Sequence, residues 1–538
     1  ELFDGLSAAS VNVFPSPRFD LGAGLGWLSR FTPAGFYYKT FFASPWLWRH
    51  LFEPAIRRAG GWGTAPTSPD PDYYDKRHVH CDVLVVGGGP AGVMAARTAA
   101  AGGARVILAD ENPALGGSLG QRSARDDSTR TWLRETVDAL GDLAEVCVLR
   151  RTTVCGYHDG NYLTALQRLG DEGRPSSPAA VRQRLWHIRA RRVILATGAH
   201  ERPLVFANND RPGIMLAGAV RRYINGFAVA PGRRAVLFTN NDRAYHCALD
   251  CLDAGIEVAA VIDSRQKPYG PAIDAITARG VPLLAGHAVA DTRGRKHLRG
   301  VLAMPLNGKD QGRRERIGCD LLAVSGGYNP AVHLHSQAQG KLDFDPELSC
   351  FRPGASRQNH VSVGAAAGCF ALDQALEQAR QAGLEAAAAC GWPAGQAPPL
   401  PAVTNEASAE PEPLWQVPVN KPKLRGKQFV DLQNDTSAGD IHLAVNEGFE
   451  SVEHMKRYTL AGFGTDQGKT SNINALAILA GILQRPIPQV GTTTFRPPYT
   501  PLTLAAMGGR HRGEWFEPVR ETAIHDRHLA AGAVFEDV

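Results

Sequence analysis

The sequence predicts an α/β protein in which two units of alternating strands and helices precede a small, mostly helical domain. Three observations predict it. The apolar run Cys81–Val86 enters a glycine-rich turn and then a helix of small residues. A second run of the same kind starts at Arg234, without the glycines. After a Pro-rich stretch, the hydrophobic spacing becomes helical from about residue 424.

The elements follow in chain order. Residues 1–80 form an aromatic-rich leader containing Trp27, Phe36, Tyr37, Tyr38, Phe41, Phe42, Trp46, Trp48 and Phe52. Its short amphipathic pieces cannot bury these rings alone, so the leader is expected to pack on a neighbouring domain or subunit. Residues 81–230 are the first segment of a first dinucleotide-binding domain. Residues 231–320 form a second, degenerate unit, and residues 321–391 return to the first. Residues 392–420 read as an extended Pro-rich linker. Residues 421–538 form a helical domain with an irregular tail from Thr492. Helix faces are expected at Ile441–Val445, Val452–Tyr458 and Ala475–Leu483.

The first turn is Gly87-x-Gly89-x-x-Gly92, with Pro90 and Ala91 opening the helix. Gly87 permits the tight turn, Gly89 lets backbone N–H groups reach a pyrophosphate, and Gly92 allows close helix–strand packing. Val106–Leu108 is the next strand. It leads to Asp110, which lies 23 residues after Gly87, and to Glu111. A carboxylate there accepts hydrogen bonds from an adenosine ribose and disfavours a 2′-phosphate, which argues for NAD over NADP. Gly117 and Ser118 sit in a loop that flanks the cofactor. The strand Val193–Ala196 ends at Thr197 and Gly198, and Val146–Arg150, Thr152–Gly156 and Leu163–Gln167 alternate as a small β-meander. The order of these elements resembles the two-dinucleotide-domain flavoproteins similar to thioredoxin reductase, with two Rossmann-like domains.

Two departures from that pattern bear on function. In the second unit the glycine positions hold Thr239, Asn241 and Ala244, so the fold is expected to persist without a nucleotide. In the closing motif, Gly364 is followed by Ala365 where such reductases carry an Asp for the flavin ribityl chain. This favours NAD at the first site, with FAD as the alternative at the same site.

Composition excludes several classes. A chain of 538 residues allows about three or four domains. With 44% apolar and 21% charged residues it is not broadly disordered. A net charge of +5 is too small and too scattered to imply nucleic acid. No run of about 18 apolar residues suggests a membrane span. The nine cysteines are dispersed without a CxxC, which argues for a reduced, cytoplasmic chain and against a dithiol centre or iron–sulfur cluster. No metal-ligand cluster, nucleophile triad or carboxylate pair stands out, so no metal and no acid–base or covalent catalytic residue is assigned.

Further motifs carry a closer resemblance. They are Ala34–Thr40, Gly87–Gly92, Ala196–Pro203, Lys427–Asp435, Ser451–Thr459 and Thr465–Asn472. On these, over essentially the whole chain, the sequence resembles the alpha subunits of heterotetrameric sarcosine oxidases. The resemblance implies the central part of such a subunit, without the ferredoxin-like domain that precedes it or the folate-binding aminomethyltransferase domain that follows. It implies an NAD held by this chain, an FAD-carrying beta subunit that oxidises sarcosine, further small subunits, and an FMN at the subunit interface that reduces oxygen to peroxide. In related amine and opine dehydrogenases the stretch around Val430–Asp435 carries iron–sulfur cysteines, and this chain has no cysteine after Cys390.

An FMN phosphate needs cations and hydroxyls. Lys469, Thr470 and Ser471 precede a helix, and Thr494 and Arg496 lie close in sequence. These five residues are the expected phosphate contacts. The same stretch lacks the glycine spacing of a nucleoside-triphosphate loop. Two other readings remain beside the oxidase subunit. One is a standalone FAD-dependent pyridine-nucleotide oxidoreductase, or the alpha subunit of a related amine or opine dehydrogenase. The other is a scaffold with a relic site.

Overall fold

The computed structural model describes residues 10–11, 13–27, 41, 44–61, 63, 67, 70–121, 127–170, 180–307, 314–393, 395–403, 411–418, 426–511, 513–516 and 518–536. The leader aromatics Phe36, Tyr37, Tyr38 and Phe42 and the motif Ala34–Thr40 lie outside the described residues.

The chain divides into two compact units, residues 1–73 with 170–182, and residues 74–169 with 183–538. In the smaller unit, Pro15–Ser16 pairs with Phe19–Asp20 as a short hairpin. The Asp20 carboxylate accepts the Phe14 and Gly22 N–H groups, both at 3.0 Å, which fixes the turn. Ser44 caps the short helix Pro45–Leu47, and Glu53 pairs with Arg57 one turn along Glu53–Ala59.

The larger unit is built on two sheets. The first has seven strands. Six lie in the order Val146–Leu149, Val106–Ala109, Tyr73–Val86, Val181–Leu195, Tyr162–Arg168 and Thr152–His158, and His360–Ser362 adds in parallel to Val181–Leu195. Val146–Leu149 is therefore not part of a meander. It crosses back through the helix Asp127–Gly141 to pair in parallel with Val106–Ala109 as the sheet edge. The meander is Thr152–His158, Tyr162–Arg168 and the long Val181–Leu195.

The helix Pro90–Ala100 begins with Pro at a first-turn position after Gly89. Its buried small residues, among them Ala95, Ala96 and Ala99, let it lie close to the sheet and to the helix Leu372–Ala389. A Cβ on Gly383 of that second helix would stand 2.7 Å from the Ala95 carbonyl oxygen, so the contact admits no side chain there.

The second sheet is five parallel strands, Ile214–Leu216, Leu321–Ser325, Arg234–Thr239, Glu257–Asp263 and Leu283–Ala285 in spatial order. Ile214–Leu216 and Leu321–Ser325 lie on either side of the expected 231–320 span, because each hydrogen-bonds into this sheet and not the first. A three-stranded antiparallel sheet, His287–Gly294, Leu298–Pro305 and Glu315–Ile317, covers one face through a shared apolar core.

The described parts of residues 392–420 are docked rather than free. The Trp392 indole N–H donates to Asp82 at 3.1 Å, the Val417 N–H donates to the Val205 carbonyl, and Val417 is buried. The helical domain follows as Ala438–Asn446, Val452–Thr459 and Asn472–Ile482. The last is buried along Ile473–Ala480 and centres a core with Val205, Val430, Ile441 and Met455. The tail holds the short helices Leu504–Gly508 and His525–Ala530 between irregular segments.

Candidate functional site

The glycine-rich turn is built by three different constraints. Gly87 has φ +101°, and a Cβ on it would meet the Ala196 carbonyl oxygen at 2.3 Å. A Cβ on Gly92 would stand 1.8 Å from the Gly87 carbonyl oxygen, so strand and helix close on each other there. Gly89 is extended at φ −70°, and a Cβ on it would meet nothing within 4 Å. Its role is to keep space free beside the helix N-terminus, where the first N–H groups lack intrahelical partners.

Asp110 closes the turn from below. Its carboxylate accepts the Gly88 N–H at 2.5 Å, and its other oxygen accepts the Asn112 N–H and side-chain amide at 2.7 and 3.0 Å. A carboxylate has about four acceptor positions, so capacity remains for a ribose hydroxyl. The loop at Gly117, φ +51°, passes over Gly89 so closely that a Cβ would be 2.9 Å from the Gly89 Cα.

These residues line a cleft of about 440 Å³. Gly87, Gly89, Pro90, Ala91, Asp110, Glu111, Gly117, Ser118, Thr197, Gly198, Gly364 and Ala365 all face it, and Gly92 packs behind the turn instead. The Thr197 hydroxyl donates to the Ala331 carbonyl, and the Gly364 N–H donates to the Gln378 side chain, so both are spent on the fold. Sequence reasoning missed much of the opposite wall. Arg222 donates to Asn112 at 3.1 Å, and Arg243 lies over the Tyr328 and Phe370 rings while donating to the Phe370 carbonyl. Nothing in the sequence spacing marks these helix-borne arginines, whereas His200 and Glu201 stood inside the quoted motif Ala196–Pro203.

At the far end the cleft reaches His200, His333 and Lys469. Burial, with the Lys469 charge added, holds the His200 imidazole down at about 4. The same two causes and His200 itself hold His333 well below the usual range. Burial lowers the Lys469 ammonium as well. Burial raises the Glu201 carboxyl, which accepts the Gly218 N–H at 2.7 Å.

The second unit uses its turn differently. Asn241 donates to Ser325, and Asn240 donates to the Glu412 carbonyl at 2.9 Å. Arg265, 3% exposed, pairs with Asp263 and Asp242, both at 2.7 Å, and the Tyr245 hydroxyl donates to Asp263 at 2.6 Å. The strand ends that hold a phosphate in a Rossmann unit are filled here by side chains and by the docked Pro-rich segment.

The five expected FMN contacts do not converge. Lys469 and Thr470 line an open cavity of about 420 Å³ that also holds Asp431 and Asp466. Thr470 donates to the Asp466 carboxylate, and the buried Ser471 hydroxyl donates to Asp431. Thr494 donates its N–H to Glu453, and Thr494 and Arg496 are exposed and line neither this cavity nor the cleft. Two acids beside one lysine oppose a phosphate dianion there. Among the described residues, no group of His, Cys, Asp and Glu is placed to hold a metal, and no helix is long and apolar enough to cross a membrane.

Residues 82–143 match the FAD dependent oxidoreductase family, and residues 425–511 match the sarcosine oxidase A3 domain. The chain is 43% identical to the sarcosine oxidase subunit alpha of Rhizobium meliloti (strain 1021), over 99% of this chain and 53% of that protein. It is 46% identical to the corresponding subunit of Corynebacterium sp. (strain P-1), over 89% of this chain and 50% of that one. The chain thus spans about half the length of these relatives. The crystal structure of L-proline dehydrogenase from P. horikoshii has the same fold, with a TM-score of 0.59, 20% identity and 80% of each chain covered.

Proposed function

Because this chain is homologous along nearly its whole length to about half of the sarcosine oxidase alpha subunits, we propose that it is the alpha-subunit component of a multi-subunit, cytoplasmic oxidoreductase acting on the CH–NH group of sarcosine. In this reading it holds NAD in the first cleft and helps to form an FMN site with a partner. An FAD-carrying beta subunit oxidises the amine, and oxygen is reduced to hydrogen peroxide. Further small subunits complete the complex.

The observation that carries the reading is the first cleft. Twelve of the thirteen residues expected at a dinucleotide face it, and the space beside Gly89 is open. The residues fit such a group. The free helix N-terminus at Gly89 and Pro90 would hold the pyrophosphate and Asp110 the ribose, beside the Gly117 loop. When bound, the dinucleotide would supply a redox-active ring. This chain's own residues bind and orient it and line its far end with His200, His333 and Lys469. Ala365 offers no side-chain acceptor for a ribityl chain, which supports NAD over FAD. For FMN, the proposal narrows to an approach from the exposed Thr494 and Arg496 side.

The FAD dependent oxidoreductase match at residues 82–143 keeps the reductase reading as the alternative. Denaturing the purified chain and identifying the released nucleotide by absorbance and mass separates the two. NAD without flavin, with FMN appearing only when the partner subunit is present, supports the oxidase subunit. Stoichiometric FAD overturns it in favour of a reductase. An empty chain leaves a scaffold.

A further inference from the structure

Next to the far end of the dinucleotide cleft lies a second, partly open space of about 70 Å³, to which Lys469, His200 and His333 are common. Three residues that line it each carry a buried polar atom with no hydrogen-bond partner: His200 Nε2, His333 Nδ1 and Asn329 Oδ1. They come from different elements. His200 and Asn329 face each other across the short pairing of Ala199–Glu201 with Tyr328–Pro330, and His333 opens the helix His333–Gln337. Buried polar groups are nearly always satisfied, so three orphans around one cavity point to an absent occupant.

The charge points to its nature. Lys469 Nζ lies over the Tyr499 ring at 4.2 Å and donates to the Asp466 and Tyr499 carbonyls. Among the described residues no carboxylate pairs directly with it, the Asp466 and Glu111 charges acting on it from further away. His333 stacks on the same Tyr499 ring at 4.0 Å. Burial and Lys469 keep both imidazoles neutral, so each offers one N–H or one lone pair. The remaining wall mixes apolar side chains, Phe351, Ile473 and Leu476 among them, with the polar Asn472, Thr492 and Thr493.

We propose that this cavity binds the carboxylate of a small amino acid, with Lys469 and the two imidazoles on the carboxylate oxygens and Asn329 Oδ1 accepting from the amine. The space has room for about two waters at roughly 30 Å³ each, so it suits only the smallest amino acids and is too small for a mononucleotide. The inference does not depend on which dinucleotide fills the cleft, and it is separate from the FMN assignment.

The test uses the full chain labelled with ¹⁵N-histidine, titrated with glycine, acetate and inorganic phosphate. Glycine is expected to shift the His200 and His333 imidazole signals saturably, at about tenfold lower concentration than acetate, the difference being one hydrogen bond to a buried acceptor. Lys469→Met is expected to abolish saturation by both acids. Asn329→Leu is expected to reduce glycine to the affinity of acetate. Lys267→Met, at an exposed lysine of the second unit, controls for loss of surface charge. The proposal is overturned if neither acid saturates, which leaves buried water as the occupant. It is also overturned if Lys469→Met, folded by circular dichroism, binds as the parent does, or if phosphate alone saturates.

Discussion

The Asp110 carboxylate and the Gly88 N–H are joined at 2.5 Å, so the acid that ends the second strand also holds the glycine-rich turn in shape. The same carboxylate is the ribose acceptor of the proposed dinucleotide site. Asp110→Asn keeps an oxygen for Gly88 but turns an NH2 towards the two Asn112 donors and removes the charge that strengthens a hydroxyl–oxygen bond. It is expected to fold and to lose about tenfold in NAD affinity, or about 1.4 kcal/mol, by isothermal titration. An unchanged affinity would place the ribose elsewhere in the cleft.

Gly89 and Gly92 make opposite predictions although they belong to one motif. Gly92→Ala drives a methyl to 1.8 Å from the Gly87 carbonyl oxygen, so strand and helix must separate, at a cost of more than about 3 kcal/mol. Gly89→Ala meets nothing, at a backbone conformation that alanine adopts. It is expected to stay within about 1 kcal/mol of the parent in urea unfolding, while retained nucleotide falls at least about tenfold because the methyl takes the ligand's space.

Much of this was legible before the structure because the turn, the small-residue helix and the acid at the next strand end are local in sequence. The three helix faces of the C-terminal domain were legible for the same reason. Other features depend on contacts distant in sequence. Val146–Leu149 alternates like a meander strand, and only its parallel pairing with Val106–Ala109 reveals the crossover. The Pro-rich segment reads as a spacer, but Asn240 and Val205 hold it down. Arg222 and Arg243 reach the cleft from helices of the second unit, where no spacing rule marks them. The phosphate group inferred from Lys469 to Ser471 came apart because sequence proximity does not give direction: Ser471 turns inward to Asp431.

The second unit gives a prediction about stability without binding. Arg265 is buried between Asp263 and Asp242. Removing it leaves two uncompensated buried acids, so Arg265→Met is expected to cost about 3–5 kcal/mol. Nucleotide stoichiometry should not change, because the first cleft holds the only dinucleotide proposed. A lowered nucleotide content in folded Arg265→Met would show that the second turn binds after all.

The buried histidines set an acid limit. In the unfolded chain an imidazole titrates near 6.5, whereas folding holds His200 and His360 down at about 4, chiefly through burial. Between those values the unfolded state binds more protons, so it gains as pH falls. The stability is full above about 6.5 and is lost progressively as pH drops towards about 4, at up to about 1.4 kcal/mol per pH unit for each group. His200→Gln cannot take up that proton. Between pH 7.5 and pH 5.0 it should lose about 1–2 kcal/mol less than the parent in urea unfolding, the lower figure allowing for partial solvent access to the ring. Equal losses in parent and variant would mean that His200 charges freely in the folded protein, and that its surroundings are wetter than the orphaned nitrogen indicates.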